Sequence, residues 1–263
     1  MSTHELPAPK NLEDCGVFIS GGTSGVGLAA ARTFAEAGVR RIVLAARDPQ
    51  RGAAAVELIK ASGAECTFLP TDAADSVAAV TAAATAMEAL GSIDVFANTT
   101  APRIKPALFS DMDARDIPAM LTQNALPAMN MAHAVLPYMR QQGRGVIVNV
   151  ASDAAKTATP GESVIGAAMA AIVMFTRTIA LEEKRHGIRA NVLTPSLISG
   201  TGLTSHLLDD GFSGKLFATA AKRAALGVPD ADDVAALIVF LASPAARRLT
   251  GQAISVNGGI SAA

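Results

Sequence analysis

Short β-branched runs alternate with alanine-rich stretches of helix length along most of the chain. Seven runs have the composition and length of strands: GVFIS (16–20), RIVLAA (41–46), ECTFLP (65–70), DVFAN (94–98), GVIVNVA (145–151), RANVLTP (189–195) and AISVN (253–257). Strands separated by helix-length segments are typical of right-handed βαβ crossovers, which place parallel strands in one sheet covered on both faces. The pattern therefore predicts an α/β fold with a doubly wound parallel sheet of about seven strands.

Length and charge narrow the possible functions. A chain of 263 residues is predicted to fold as a single domain, with residues 1–10 as a flexible N-terminal tail. Charged residues make up 17% and the net charge is −1, which disfavours nucleic acid or an anionic membrane as a partner. The N-terminus does not resemble a secretory signal and no apolar stretch is expected to span a bilayer, so we expect a cytoplasmic protein. Cys15 and Cys66 lack metal-ligand spacing, so no metal is expected and both are predicted to be buried thiols.

The first strand runs directly into GGTSGVGLAAARTFAEAG, where Gly21, Gly25 and Gly27 form a glycine-rich turn that opens a helix. Glycines there let the backbone approach a pyrophosphate, and the helix N-terminus supplies N–H groups and a partial positive charge. The position after the first strand favours a dinucleotide site over a turn that is only structural.

The second strand ends in VLAARDP. A carboxylate at its tip would bind the ribose 2′-hydroxyl of NAD, but Ala46 stands there and Arg47 follows. An arginine suits a 2′-phosphate, so NADP(H) is favoured over NAD(H); a solvated surface arginine is the alternative.

Further segments resemble the short-chain dehydrogenase/reductase (SDR) family from about Asn11 to Gly259. SGGTSGVG is similar to the TGxxxGxG loop, PTDAAD to the adenine-contacting segment, VFANTTA to the NNAG motif, VNVAS to the serine strand, and RANVLTPS to the stretch beside the nicotinamide. The resemblance implies a Rossmann-like fold. It also implies that the cofactor is contacted by Gly21, Thr23, Ser24, Gly25, Val26, Gly27, Arg47, Asp72, Ala73, Asn98, Pro195 and Ile198.

The catalytic tetrad of that family is Asn, Ser, Tyr and Lys, and this chain matches only its first half. Asn124 and Ser152 match the Asn and the Ser. The Tyr is expected thirteen residues after the Ser and the Lys four residues later, where the chain has Ile165 and Met169. The wider spacing of enoyl reductases puts Glu162 at the tyrosine and Met169 again at the lysine. The resemblance thus implies a degenerate member.

In the family mechanism the tyrosine exchanges a proton with the substrate oxygen, while the lysine lowers the tyrosine pKa and grips the nicotinamide ribose. Two nearby departures point the same way, because Ala101 replaces the glycine that closes NNAG and Ser196 replaces the glycine after Pro195. We expect an intact adenine and pyrophosphate half of the site and an altered nicotinamide half. Weak or absent binding of the cofactor is an alternative that the sequence leaves open.

Three functions remain. The first is a non-catalytic subunit that stabilises or regulates an active SDR dehydrogenase in a hetero-oligomer, for example of hydroxyacyl-CoA dehydrogenase type, through helices around 119–139 and 163–185. The second is an active NAD(P)(H)-dependent alcohol/carbonyl oxidoreductase that delivers the proton through Glu162, Lys156, Ser152 or the substrate itself. The third is a nucleotide-binding sensor.

Two other ionisable side chains are disfavoured as proton carriers. Tyr138, the single tyrosine, is expected to lie too far from the nicotinamide. Among the histidines, only His206 is expected in the segment from Ser199 to Gly227 that covers the substrate, and it is favoured as a surface residue there.

Overall fold

The structure, a computed structural model, describes residues 7–209 and 211–262. Its strands are β1 (Gly16–Ser20), β2 (Arg41–Ala46), β3 (Glu65–Pro70), β4 (Val95–Asn98), β5 (Gly145–Val150), β6 (Ile188–Pro195) and β7 (Ala253–Val256). They form one parallel sheet in the order β3-β2-β1-β4-β5-β6-β7. The predicted doubly wound α/β fold is confirmed, and each predicted strand end lies within about one residue of the observed end.

Helices cover both faces of the sheet. In the described residues they are α1 (Gly25–Glu36), α2 (Pro49–Ala61), α3 (Ser76–Leu90), α4 (Ile117–Gln142), α5 (Ser163–Glu183), α6 (Gly202–Leu208), α7 (Gly211–Arg223) and α8 (Ala231–Ala242). Helices α1, α2 and α8 pack on one face, and α3, α4 and α5 pack on the other. The result is the three-layer arrangement expected of a parallel sheet.

Strand β1 shows how the two cores are built. Val17 and Ile19 point into the core beneath α1 and α8, whereas Phe18 points into the core beneath α3 and α4. The Phe18 ring lies 5.7 Å from that of Phe96 at a tilt of 56°, and both side chains are fully buried. Burying each phenylalanine contributes roughly 1.5–3 kcal/mol. Because both faces of the strand are covered, its sequence is continuously apolar rather than alternating.

The strand order fixes where a ligand site forms. The chain runs outward from β1 to β3 and then returns to place β4 on the other side of β1. In doubly wound sheets this reversal leaves a crevice at the carboxyl ends of the strands, where ligands bind. The loops that follow β1 and β4 therefore face this crevice.

Aspartate caps fix where three helices begin. Asp48 accepts hydrogen bonds from backbone N–H groups of α2, and Asp75 does the same for α3. Asp230 and Asp233 form a reciprocal capping box at the start of α8. Such caps stabilise a helix by about 1 kcal/mol each. They also hold the loops before these helices in place.

Helix α5 corrects one expectation from the sequence. The window Ser163–His186 is long and apolar enough to cross a membrane, with a mean hydropathy of 1.9. However, 56% of the tested window is buried within the protein, and α5 packs against α4 and β6. The apolar composition of α5 is therefore explained by its burial between α4 and β6.

The N-terminal prediction is corrected in part. Residues 1–6 of the predicted tail lie outside the described residues. Lys10, at the end of that tail, is anchored: its Nζ donates to Asp94 Oδ2 at 2.9 Å and to Ser92 Oγ at 3.1 Å. Lys10 thus belongs to the folded part of the chain because a buried carboxylate holds it.

Both cysteines are buried free thiols, as predicted. Burial raises the pKa of Cys15 to about 12 and that of Cys66 to about 11, so both remain protonated at neutral pH. Among the described residues, no group of three His, Cys, Asp or Glu side chains is arranged to hold a metal ion.

Candidate cofactor and active site

A cleft of about 590 Å³ opens at the carboxyl ends of the strands, where the strand order reverses. This volume is in the range of small-molecule sites. The predicted site residues that line it are Gly21, Thr23, Ser24, Gly25, Val26, Arg47, Asp72, Ala73, Asn124, Ser152, Ile165, Met169, Pro195 and Ile198. The fold thus brings to one cleft residues that are up to 177 positions apart in the sequence.

The three glycines after β1 have different roles. Gly21 has a φ of 81°, and a Cβ there would lie 2.8 Å from the Thr99 backbone. A Cβ on Gly27 would lie 2.3 Å from the Gly21 carbonyl oxygen, so only glycine lets α1 approach the loop this closely. A Cβ on Gly25 would meet only Thr201, at 3.7 Å, so the space above Gly25 is open to the cleft.

Helix α1 begins at this open space. Its cap residue, Ser24, makes no side-chain cap hydrogen bond, in contrast to the aspartates of α2, α3 and α8. The N–H groups of the first turn therefore remain available to a ligand, at the end of the helix that carries partial positive charge. The space above Gly25 and these N–H groups fit the pyrophosphate of a dinucleotide.

Arg47 follows the tip of β2 at the adenosine end of the cleft. It is exposed and has no ion pair among the residues that the structure describes. The neighbouring Asp48 is engaged, because it accepts backbone hydrogen bonds from α2 and its Oδ2 lies 2.9 Å from Arg51 Nε. The backbone hydrogen bond from Arg51 is the main cause that holds the pKa of Asp48 below its ordinary value. Among the described residues near the tip of β2, Arg51 is thus paired with a carboxylate and Arg47 is not.

Asn98 and Gly27 do not line the cleft, although both were predicted to contact the cofactor. Asn98 is fully buried, and its Oδ1 accepts a hydrogen bond from Thr100 Oγ1 at 2.9 Å. Next to it, Thr99 Oγ1 donates to the Ser20 carbonyl at 2.8 Å and joins the ends of β1 and β4. Asn98 therefore supports the turn that lines the cleft, and Gly27 packs behind the loop.

Ser152 and Asn124 are the two tetrad residues that the sequence retains, and both line the cleft. Ser152 follows β5, and its Oγ accepts a hydrogen bond from the Ala154 N–H at 3.3 Å, which leaves the hydroxyl proton available to a substrate oxygen. Asn124 is buried in α4 and donates from Nδ2 to the Met120 carbonyl at 2.8 Å.

Ile165 and Met169 lie one helical turn apart on α5, and both line the same cleft. Each is 8% exposed and belongs to an apolar cluster with Met120, Val164 and Ile172. The wall of the cleft at this point is hydrocarbon and thioether. Neither side chain can donate a proton or supply a positive charge.

Glu162, at the start of α5, is the ionisable group beside that wall. It is half-buried and lines the cleft. Burial, and secondarily the negative charge of Asp153, raise the pKa of Glu162 to about 7. A carboxyl group with this pKa exchanges its proton at neutral pH, which is a property of general acids and bases.

Among the described residues, the other ionisable side chains near the serine or in the covering segment, and the single tyrosine, lie outside the cleft lining. Lys156 Nζ donates to Ser255 Oγ at 2.6 Å. His206 lies on α6, and Tyr138 packs in the apolar core beneath α3 and α4. Of the side chains proposed to replace the tyrosine, only Glu162 and Ser152 line the cleft.

The covering segment contributes apolar residues that the sequence analysis missed. Leu203 and Leu207 on α6 and Phe217 on α7 line the cleft. Thr201 caps α6, where its Oγ1 accepts a hydrogen bond from the Thr204 N–H at 3.2 Å. In the sequence, Thr201 is followed by Leu203 and Leu207, which are four residues apart. This pattern is typical of a short amphipathic helix that begins at a threonine cap, and it could have predicted α6.

Comparison with known proteins gives a consistent family. The sequence pattern of the family described as enoyl-(acyl carrier protein) reductase matches residues 21–261. The short-chain reductase protein NovJ of Streptomyces niveus is 32% identical over 245 residues, which cover 92% of each chain. The 3-oxoacyl-[acyl-carrier-protein] reductase of Vibrio harveyi is 31% identical, over 95% of this chain and 98% of that protein.

Solved structures agree with the sequence matches. The crystal structure of levodione reductase superposes with a TM-score of 0.87 at 25% identity, covering 94% of this chain and 97% of that one. These relatives are named as reductases, and proteins of this family use NAD(P)(H). The full-length matches, the seven-stranded sheet and the glycine-rich loop together show that the chain belongs to the short-chain dehydrogenase/reductase family.

Proposed function

We propose that this protein is a cofactor-binding SDR subunit without the ordinary carbonyl–alcohol activity of the family, and that it stabilises or regulates an active SDR in a cytoplasmic hetero-oligomer. The observation that carries the proposal is the apolar wall formed by Ile165 and Met169 beside Ser152. This wall lacks both the hydroxyl that would carry the proton and the ammonium group that would tune it. General acid–base catalysis is typically worth about 10² to 10⁴ in rate.

The cofactor half of the cleft supports NADP(H) binding in particular. When bound, the cofactor supplies hydride to a substrate carbon or accepts it. The first turn of α1 would hold the pyrophosphate, and Arg47 would face the 2′-phosphate. In a thermal-shift titration, NADP⁺ should raise the melting temperature more than NAD⁺ does, and Arg47→Ala should remove the difference.

The surface of α5 supports the assembly. Its solvent-exposed face has a row of residues with coiled-coil spacing, consisting of Ala167, Ala171, Met174, Thr178 and Leu181, of which all but Thr178 are apolar. Met174 is 60% exposed and Leu181 is 65% exposed. Large apolar side chains in such a row are typical of a helix that packs against another subunit. A homologous chain with the same fold presents a helix of matching length.

Two experiments test these points. Co-purification from the native source, followed by mass spectrometry, should recover an active SDR with this chain. Met174→Glu/Leu181→Glu should release that partner, whereas Leu58→Glu, at a 44% exposed leucine on α2, should retain it. The purified chain alone should show no turnover above background with a panel of ketones, enones and alcohols.

A gain of function tests the cause of the inactivity. The double substitution Ile165→Tyr/Met169→Lys restores both groups on the correct face of α5, so we expect turnover to rise at least about 100-fold. Ile165→Phe/Met169→Leu keeps the volume without the chemistry and should stay inactive. Ordinary turnover by the unmodified chain alone would refute the proposal.

One observation favours a second candidate, an active NADP(H)-dependent oxidoreductase in which Glu162 carries the proton. The group lines the cleft and has a pKa of about 7. In this case Glu162→Gln should abolish turnover, while Glu182→Gln, at an exposed carboxylate of the same helix, should leave it unchanged. Activity of the free chain that survives Glu162→Gln would exclude this candidate.

A further inference from the structure

A second cavity, of about 450 Å³, opens at the opposite edge of the sheet, at the amino ends of β1, β4, β5 and β6. In the part of the chain that the structure describes, one carboxylate, that of Asp94, lines it. The cationic side chains that line it are Lys10, Arg144, Lys184, Arg189, Arg247 and Arg248, and we call this site the basic pocket. Because the whole chain has a net charge of −1, the pocket is a local concentration of positive charge.

The carboxylate that lines the basic pocket already interacts with two of its cations. Asp94 Oδ2 lies 2.9 Å from Lys10 Nζ, and its Oδ1 lies 3.3 Å from Arg144 Nε. Burial opposes the ionisation of Asp94, but hydrogen bonds from Ser92, Lys10 and the Gly16 N–H outweigh it and hold its pKa below the ordinary value. One negative charge therefore faces two cations, and none is left for the other four.

Arg189 is the most deeply placed of those four. Its guanidinium donates to the Leu241 carbonyl at 2.7 Å and to the Leu249 carbonyl at 3.2 Å. No carboxylate pairs with it among the described residues, and burial lowers its pKa to about 10. Arg189 is partly buried, and a cation that is drawn away from water and balanced only by carbonyl dipoles is electrostatically unfavourable, so an anion beside it would be stabilising.

The other three cations lie at the mouth of the basic pocket. Arg247 and Arg248 follow α8, Lys184 follows α5, and all three are exposed. None has an ion pair among the residues described, and the adjacent Glu183 is bound by Arg140 and His186. These long side chains are free to turn towards a ligand.

We propose that the basic pocket binds an oligophosphate, either inorganic or as part of a nucleotide. Arginine forks bind phosphate oxygens bidentately, and the cavity is large enough for a small ligand. Four cations without a carboxylate partner match a ligand with several negative charges better than a monoanion. The pocket and the cofactor cleft lie at opposite edges of the sheet, so the two sites are separate.

Isothermal titration calorimetry of the full chain with pyrophosphate and with ADP tests the proposal. We expect saturable binding that Arg247→Ala/Arg248→Ala weakens by about tenfold or more, because charge-assisted hydrogen bonds are lost. The matched control, Arg177→Ala/Arg185→Ala, removes two exposed arginines outside the pocket lining and should change the affinity by less than about twofold.

A third variant separates the basic pocket from the cofactor cleft. Gly27→Ala places a Cβ 2.3 Å from the Gly21 carbonyl oxygen and so disrupts the loop that would hold a pyrophosphate in the cofactor cleft, but it should leave pyrophosphate binding to the basic pocket unchanged. Equal affinities for pyrophosphate and ADP would show that phosphates alone are recognised, and tighter binding of ADP that persists in Gly27→Ala would add a nucleoside contact; both outcomes support the proposal. The absence of saturable binding, or binding that Gly27→Ala removes and Arg247→Ala/Arg248→Ala does not, would overturn it.

Discussion

The ionisation of Glu162 should make the stability of the fold depend on pH between about 4.5 and 7. In the folded chain its pKa is about 7, because the side chain is buried and Asp153 lies nearby, against 4.5 in the unfolded chain. Within this window the folded state keeps a proton that the unfolded state has released. Stability from this group is therefore full below pH 4.5 and is lost as the pH rises through 7.

The size of this effect follows from the same shift. At about 1.4 kcal/mol per pH unit, a rise in the pKa of Glu162 from 4.5 to about 7 corresponds to about 3.5 kcal/mol at most. Because part of the side chain contacts solvent, we expect about 1–2 kcal/mol. Glu162→Gln cannot ionise, so it should be more stable than the unmodified chain by this amount at pH 8. Near pH 4 the advantage should disappear.

Urea denaturation at a fixed protein concentration, from pH 4 to pH 8.5, measures this difference. Glu182→Gln is the matched control, since it removes an exposed carboxylate from the same helix. Its unfolding free energy should run parallel to that of the unmodified chain. The reasoning fails if the gap between Glu162→Gln and the unmodified chain is constant over the whole range.

Three further substitutions test a buried ion pair, a helix cap and the glycine-rich loop after β1. Arg140→Ala removes the main partner of Glu183, whose side chain is 2% exposed. The free energy of unfolding, measured with urea, should fall by about 2–4 kcal/mol. Adding Glu183→Gln to this variant should restore part of the lost stability. Asp230→Ala breaks the capping box of α8 and should lower that free energy by about 1 kcal/mol. Gly27→Ala would place a Cβ 2.3 Å from a carbonyl oxygen, so it should abolish any cofactor-induced rise in melting temperature.

Local sequence was enough to predict the sheet and the phosphate loop. Val17, Phe18 and Ile19 form a continuous apolar run, which predicted a strand, and the alternation of such runs with helix-length segments predicted a parallel sheet covered on both faces. The roles of the glycines after β1 could also be predicted from the sequence nearby. Their spacing relative to one strand and one helix fixes their roles, and all these residues are near neighbours in sequence.

The environments of individual side chains could not be predicted from local sequence. The pKa of Glu162 depends on burial by the cleft walls and on Asp153, which a loop separates from α5. Lys156 is closer to Ser152 in sequence than Glu162 is, yet its ammonium group bonds Ser255 on β7. The cations of the basic pocket come from positions 10 to 248, and only the parallel strand order brings them together.

Helix geometry helps to choose between the two candidate functions. Glu162 precedes Ile165, the position of the family tyrosine, by three residues, which corresponds to a displacement of about 4.5 Å along α5. A glutamate side chain is also shorter than a tyrosine side chain, so its carboxyl group falls short of the point that a tyrosine hydroxyl would reach. In the second candidate, Ser152, which lines the same cleft, is the proposed partner of the carbonyl oxygen. Direct proton transfer from Glu162 therefore requires a bridging water or a shifted substrate, whereas an apolar wall without catalysis requires neither.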